Sequence, residues 1–409
     1  MKILHIASGD LDSGAGKGTY WLHKGLIKNG IQSSVLVQKG KYEEKEILVS
    51  RKSKIDKVKH RLRYEIDKLP TKFYRNRDKY IFSTGVIGED ITKYKEYKEA
   101  DIVHFHWINS GFIDMKTFSK IKKPIVWTLR DMWPFTGGCH YSNNCMGYTT
   151  GCGNCTHLSS GNENDLSRYI LNRKEKFFQQ NLYLVGISKW ISDCAQESKL
   201  FSNHSVQFIP NCIDEDMFFP EDKVSARKEL GFSENKNLIL FGAISAGDVR
   251  KGGHLLKKAL EKLPNKKECE LIIFGNRSEE YNNLGIVTKQ FGFVKDANTL
   301  RKLYSAADVF VAPSLQEAFG KTIAESIACG TPAISIIGSG PDDIIINGQN
   351  GYLIKPESAE ILLALERLLK NKGIFNGKQM YLDMKNRFGK KNVSNQYANL
   401  YSEILRDKK

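Results

Sequence analysis

A chain of 409 residues, 41% hydrophobic and 26% charged, has the make-up of a soluble globular protein with apolar side chains enough for two or three domain cores. No run of eighteen apolar residues occurs, which excludes a membrane-spanning helix. The short start Met1-Lys-Ile-Leu-His-Ile-Ala7 reads as a first strand and not as a secretory leader, so a cytoplasmic protein is expected. The formal charge of +16 is uneven: between Arg51 and Lys79 twelve Lys and Arg stand against four acids, which is half of the excess. Within this segment Ile55, Val58, Leu62, Ile66 and Leu69 recur at helical spacing, giving a basic amphipathic helix. Segment 51–79 suits peripheral contact with the inner face of a membrane, an anionic acceptor such as a lipid pyrophosphate, or one-sided packing on its own domain.

Strand and helix patterns alternate along the whole chain. Lys2–Ala7 reads as a strand, residues 8–18 as a loop, and Thr19–Asn29 as a helix closed by Gly30. Further strands are expected at Ser34–Gln38, Ile102–Phe105, Ile125–Leu129 and Tyr183–Ile187. A second series follows at Leu238–Phe241, Leu271–Phe274, Gln290–Phe293, Val309–Ala312 and Ala333–Ile336. Two such series predict an α/β protein with two Rossmann-like, doubly wound parallel sheets. Ile209-Pro210-Asn211 interrupts the periodicity, which puts the join near 205/206, with domains 1–205 and 206–392.

Gly14-Ala-Gly16-Lys-Gly18 opens a helix after the first strand, the place of a phosphate-binding turn, although it lacks the Ser or Thr of a P-loop. His104 and His106 alternate along one strand, which predicts opposite faces and speaks against a shared metal; His106, at the strand end, is expected to line the cleft among the catalytic residues, and His104 to be a core histidine. Four of eight cysteines, Cys139, Cys145, Cys152 and Cys155, crowd into an insert at 137–158. In a reducing compartment that spacing suggests a structural zinc site over two disulfides, with His140 or His157 able to replace one thiolate.

The densest chemistry lies at Pro313-Ser-Leu-Gln-Glu317-Ala-Phe319-Gly320-Lys321-Thr322-Ile-Ala-Glu325-Ser-Ile-Ala-Cys-Gly330-Thr-Pro332. A strand leads into a loop and then a helix that Gly330 and Pro332 close. The amides of about Phe319 to Thr322, with Lys321, form an anion site at the helix N-terminus. Glu317 and Glu325 flank it, a combination suited to a ligand bearing both hydroxyls and phosphates, such as a nucleotide sugar. Arg250-Lys251-Gly-Gly253 follows the first strand of the second series, where two cations can neutralise a diphosphate.

The ordered frame PSLxEAFGKTxxES…ACGTP closely resembles the family-4 retaining glycosyltransferases. Trp133-Pro-Phe-Thr-Gly-Gly-Cys139 with its trailing cysteines resembles their exopolysaccharide and colanic-acid branch. The resemblance implies a GT-B architecture, two Rossmann-like domains facing a cleft, with the segment 393–409 returning as a helix to the first domain. It implies transfer of a sugar from a nucleotide diphosphate sugar, UDP favoured, onto a glycan or lipid-linked acceptor in surface polysaccharide or glycoconjugate synthesis. No cofactor would be needed at the reacting centre, and no nucleic acid is expected. By position, Glu317 would lie by the donor sugar and Glu325 on the ribose, and Arg250 and Lys251 on the diphosphate. The Gly16 amide would approach the donor phosphate, and Phe293 and Val294 would cradle the base. Arg130 and Asp131 stand on the acceptor side, where the family has His-Asp; arginine there cannot shuttle a proton. A nucleotide-sugar epimerase of the same architecture and a zinc-containing nucleic-acid-binding protein are the alternatives.

Overall fold

A computed structural model describes residues 1–178, 182–243 and 248–407; positions 179–181, 244–247 and the last two of the expected 393–409 segment lie outside the described residues. The chain forms two units, Met1–Cys212 with the residues from Lys391 onward, and Ile213–Lys390.

The first unit contains β1 (Lys2–Ala7), α1 (Gly14–Lys28), β2 (Gln32–Val37), β3 (Ile47–Val49), α2 (Lys54–Lys68), α3 (Lys95–Glu99), β4 (Ile102–Phe105), β5 (Ile125–Leu129), α4 (Gly147–Thr150), α5 (Leu166–Phe177), β6 (Leu182–Gly186), α6 (Lys189–Glu197) and β7 (Val206–Phe208). Its sheet is parallel, in the order β3-β2-β1-β4-β5-β6-β7. Ile3, Leu4 and Ile6 are all buried, as expected of a central parallel strand covered on both faces. Phe105, Phe118, Trp127 and Phe178 stack at 4.5–6.0 Å between ring centres and fill one side of the core.

The second unit contains α7 (Lys223–Glu229), β8 (Asn237–Ala243), α8 (Gly253–Glu261), β9 (Cys269–Gly275), β10 (Val287–Gly292), α9 (Ala297–Ala306), β11 (Val309–Ala312), α10 (Lys321–Ala328), β12 (Ala333–Ile336), β13 (Gly351–Ile354), α11 (Ser358–Lys370) and α12 (Gly377–Phe388). Its parallel order is β10-β9-β8-β11-β12-β13. Ile239, Phe241, Leu271, Val309, Val311 and Ile334 pack against Leu256, Leu260 and Leu365 of the covering helices.

The last helix, α13 (Lys390–Arg406), lies with the first unit. Tyr401 and Tyr397 hydroxyls sit 2.7 Å from His104 Nδ1 and Thr128 Oγ1, and Asn29 donates to Ser394 and Asn395. The division falls at Cys212/Ile213 and Lys390/Lys391, a few residues from the expected 205/206 and 392/393. β7 pairs with β6 and the Ile209 amide donates to Gly186, so residues 206–212 stay with the first sheet. Helix α1 starts at Gly14, five residues before the expected Thr19. Glycine propensity misleads there, because Ser13 caps the helix and accepts from the Gly16 amide at 3.1 Å.

Candidate functional site

The second sheet changes winding direction between β8 and β11, and ligands of such sheets settle at the carboxyl ends of the strands beside that point. There the turn after β8 meets the loop after β11. The Leu315 amide donates to the Arg250 carbonyl at 2.7 Å, and Arg250 Nη1 donates to the Gln316 carbonyl at 2.8 Å. Gly252 permits this approach: its φ is +66°, and a Cβ would come within 1.8 Å of the Pro313 oxygen. Lys251 Nζ lies 2.5 Å from Glu317 Oε2, with Arg250 Nη1 4.0 Å from the same oxygen. Burial alone would raise the Glu317 carboxyl, but the Lys251 ammonium and then the Arg250 guanidinium outweigh it and hold it below the usual range.

Gly320 (φ +99°) stands at the N-cap of helix α10, and no side chain caps the helix. Its N-terminal dipole therefore faces the loop that carries Glu317. Glu325 is not on a solvated face: it is 1% exposed, accepts from the Tyr304 hydroxyl at 3.2 Å and pairs with Lys321 at 3.5 Å. Thr322 lies in the first turn of the same helix. Two further supports hold Glu317. Ser339 Oγ accepts from the Glu317 amide at 3.3 Å, and the Gly340 amide donates to the Glu317 carbonyl at 2.8 Å. The glycine pair flanking Ser339, just past β12, was the available signal. Phe293 and Val294 lie past the edge strand β10, and Phe293 is exposed.

Residues 222–392 match the family described as glycosyl transferases group 1. The second unit belongs to that family. The chain is 26% identical over 221 residues to N-acetyl-alpha-D-glucosaminyl L-malate synthase of Bacillus anthracis, covering 51% of this chain and 56% of that protein. It is 23% identical over 321 residues to the putative colanic acid biosynthesis glycosyl transferase WcaC of Escherichia coli K12, covering 74% and 76%. The chain spans about half the length of the curated relatives it matches first. The Anabaena protein HepE, solved with UDP and glucose, superposes with a TM-score of 0.65 at 17% identity, over 98% of this chain and 100% of that one. Two parallel-strand α/β units of this kind are the GT-B type of fold.

In the first unit, His104 and His106 do not face apart. Their ring centres are 4.2 Å apart, and ring nitrogens of His5, His104 and His106 all lie within 4.8 Å of one another. His106 sits one residue past the end of β4, so strand alternation no longer governs it. The cluster is internally bonded. His5 Nδ1 is 2.9 Å from His106 Nε2, and His106 Nδ1 accepts from Arg130 at 3.2 Å. His104 is held between Tyr401 and Thr128, each at 2.7 Å. Burial foremost pushes all three imidazoles well below their ordinary pKa, so they are neutral.

Arg130 Nη1 donates to Asn211 at 2.6 Å, while its Nε is buried without a partner. Asp131 accepts from Trp107 Nε1 at 2.8 Å, from His140 Nδ1 at 2.6 Å and from the Trp133 amide at 3.0 Å, which ties it to the cysteine insert. Gly16 also differs from expectation. Its amide is spent on Ser13, and a Cβ there would meet the Asp10 oxygen at 2.1 Å, so glycine serves close packing of the turn.

Cys139, Cys145, Cys152 and Cys155 line one small cavity of about 20 Å³, room for a single small atom or ion. Positive φ at Cys152 and Asn154 turns the chain tightly around it, and the Gly147 amide points at Cys145 Sγ at 3.4 Å. Burial pushes the Cys139 thiol up strongly and that of Cys152 to about 11. His140 and His157 are committed elsewhere: His140 to Asp131 and to Ser83 at 2.9 Å, His157 to Asp78 at 2.5 Å and to the Ser142 carbonyl at 3.3 Å. Thr136, Ser142, His157 and Ser167 line the same cavity beside the four cysteines.

Proposed function

We propose that the protein is a retaining glycosyltransferase that moves a sugar from a nucleotide diphosphate sugar, UDP-linked by preference, onto a glycan or lipid-linked acceptor. The observation that carries this reading is the meeting of Lys251 and Arg250 with Glu317 at the switch point of the group 1 domain. The UDP preference draws on HepE, solved with that nucleotide, and the polysaccharide context on the relative WcaC.

In the reaction, the bond between the anomeric carbon and the phosphate oxygen breaks, and its electron pair leaves with the diphosphate. The acceptor oxygen bonds to the anomeric carbon on the same face, and its proton passes to the departing phosphate oxygen. Lys251, Arg250 and the α10 N-terminus, at Phe319 to Thr322, stabilise the charge that develops there. Glu317, kept ionised by those cations, orients the sugar, and Glu325 receives the ribose hydroxyls beside Lys321. Phe293 and Val294 flank the base. Arg130 serves the acceptor, positioned by His106, with Asp131 bracing the loop beside it. For the cysteine insert we propose a structural zinc, which Cys139, Cys145, Cys152 and Cys155 would hold and which would fasten the insert without joining the transfer.

Nucleotide release tests the activity. UDP should appear only when donor and a glycan or lipid-linked acceptor are both present, and donor conversion without acceptor and without released UDP would point to an epimerase. Metal analysis tests the insert: one zinc per chain is expected, lost in Cys152→Ser, and metal-free folded protein would refute it.

A further inference from the structure

Helix α2 packs on the first unit with the wrong side, by the usual logic of amphipathic helices. Its buried residues are His60 and Asp67. Ser50 and Glu89 are hydrogen-bonded to His60 at 3.1 and 2.8 Å, and Thr84 donates to Asp67 at 2.6 Å. The helix is thus fastened by polar contacts, started by a capping box between Ser53 and Asp56. At about 100° per residue, Ile55, Val58, Leu62, Ile66 and Leu69 fall within an arc of about 80° on the side away from these anchors. They are left in water: Ile55 is 67% exposed, Val58 59%, Leu62 57% and Ile66 45%. Phe73, in the short turn of helix that follows, is 80% exposed.

Exposed cations border the stripe, Lys54 and Arg61 on one side and Lys59 on the other. The one acid beside it, Glu65, is paired with Lys72 at 3.6 Å. No helix is long and apolar enough to cross a membrane among the described residues.

We propose that this face is a docking surface for an anionic lipid bilayer, with α2 lying in the plane of the headgroups. The aliphatic stripe would enter the acyl boundary and the flanking lysines and arginines would meet lipid phosphates. A nucleic acid would satisfy the cations but leave the aliphatic stripe in water, and charge complementarity together with apolar insertion favours the bilayer. The inference stands apart from the transfer reading, since α2 contributes no residue to the group 1 domain.

The test is sedimentation of the full chain with vesicles of phosphatidylcholine alone and of equal parts phosphatidylcholine and phosphatidylglycerol. Binding to the anionic vesicles only, weakened by molar salt, is expected. Leu62→Ser with Ile66→Ser should weaken it about tenfold or more, with helix content and nucleotide binding unchanged, because both side chains are solvent-exposed. Lys59→Glu with Arg61→Glu should do likewise. In a separate Leu62→Trp variant, the emission of the introduced indole should shift to the blue when anionic vesicles are added. Equal binding by the double serine variant, an unshifted indole, or salt-dependent binding to RNA without any binding to vesicles would each overturn the proposal.

Discussion

In the second unit Lys251 lies 2.5 Å from the Glu317 carboxylate at the end of two neighbouring strands, whereas in the first unit Arg130 is held by Asn211 and by the neutral ring of His106. The first arrangement balances charge at the strand ends of the switch point, where the proposed diphosphate would share the cation while Glu317 remains beside it. The second holds a guanidinium among neutral groups, with burial lowering its pKa and its Nε unpartnered. A cation kept by a carboxylate is ready to respond to new negative charge. One kept by neutral groups in an enclosed network is fixed in place, and we assign to it positioning on the acceptor side.

The sharpest way to break this contrast is to remove each cation in turn. Lys251→Ala should lower turnover about a hundred- to thousandfold, the usual cost of one preorganised donor to developing charge. Arg130→Met should leave donor-nucleotide affinity as in the wild type and act only on acceptor-dependent turnover. Steady-state nucleotide release and nucleotide titration separate the two, and loss of UDP affinity in Arg130→Met would erase the distinction.

Glu325→Ala comes next. It removes the acceptor of the Tyr304 hydroxyl and the proposed ribose partner, so nucleotide affinity should fall by about 1–3 kcal/mol, read by calorimetric titration. Unchanged affinity would remove Glu325 from the site.

A third effect belongs to the first unit. Burial, above all, depresses the folded-state pKa of His5, His104 and His106 below the unfolded value of about 6.5. Below that pH the unfolded chain takes up protons that the folded one refuses. The stability they confer is therefore complete above about pH 6.5 and is lost as pH falls, with a limiting slope of about 1.4 kcal/mol per pH unit for each histidine. Melting temperature followed by near-UV signal should drop on acidification from neutrality toward pH 5; a flat profile would mean that the cluster is charged or open.

How far the sequence could be read differs between the units for physical reasons. Val309–Ala312, Ile102–Phe105 and Ala333–Ile336 were legible because buried parallel strands are short continuous apolar runs bounded by turns. β3, β7 and β13 escaped, being three or four residues long with mixed burial. Glu317, Lys251 and Arg250 could be named because the residue types and the strand ends already suggested anion chemistry. Their direct pairing depends on strand order, which no local pattern encodes. The histidine cluster was misread because alternation was extended past the last residue of β4. The apolar row of α2 was legible as a row, but its direction was not: which face packs depends on the partners of His60 and Asp67 on distant segments.

Whether Lys251 answers the diphosphate of a bound nucleotide is read by calorimetric titration of UDP and UMP against the wild type and Lys251→Ala. The variant should bind UDP about tenfold or more weakly, consistent with loss of a charge-assisted hydrogen bond, and bind UMP as the wild type does. Equal weakening of both nucleotides, or unchanged binding of UDP, would contradict it.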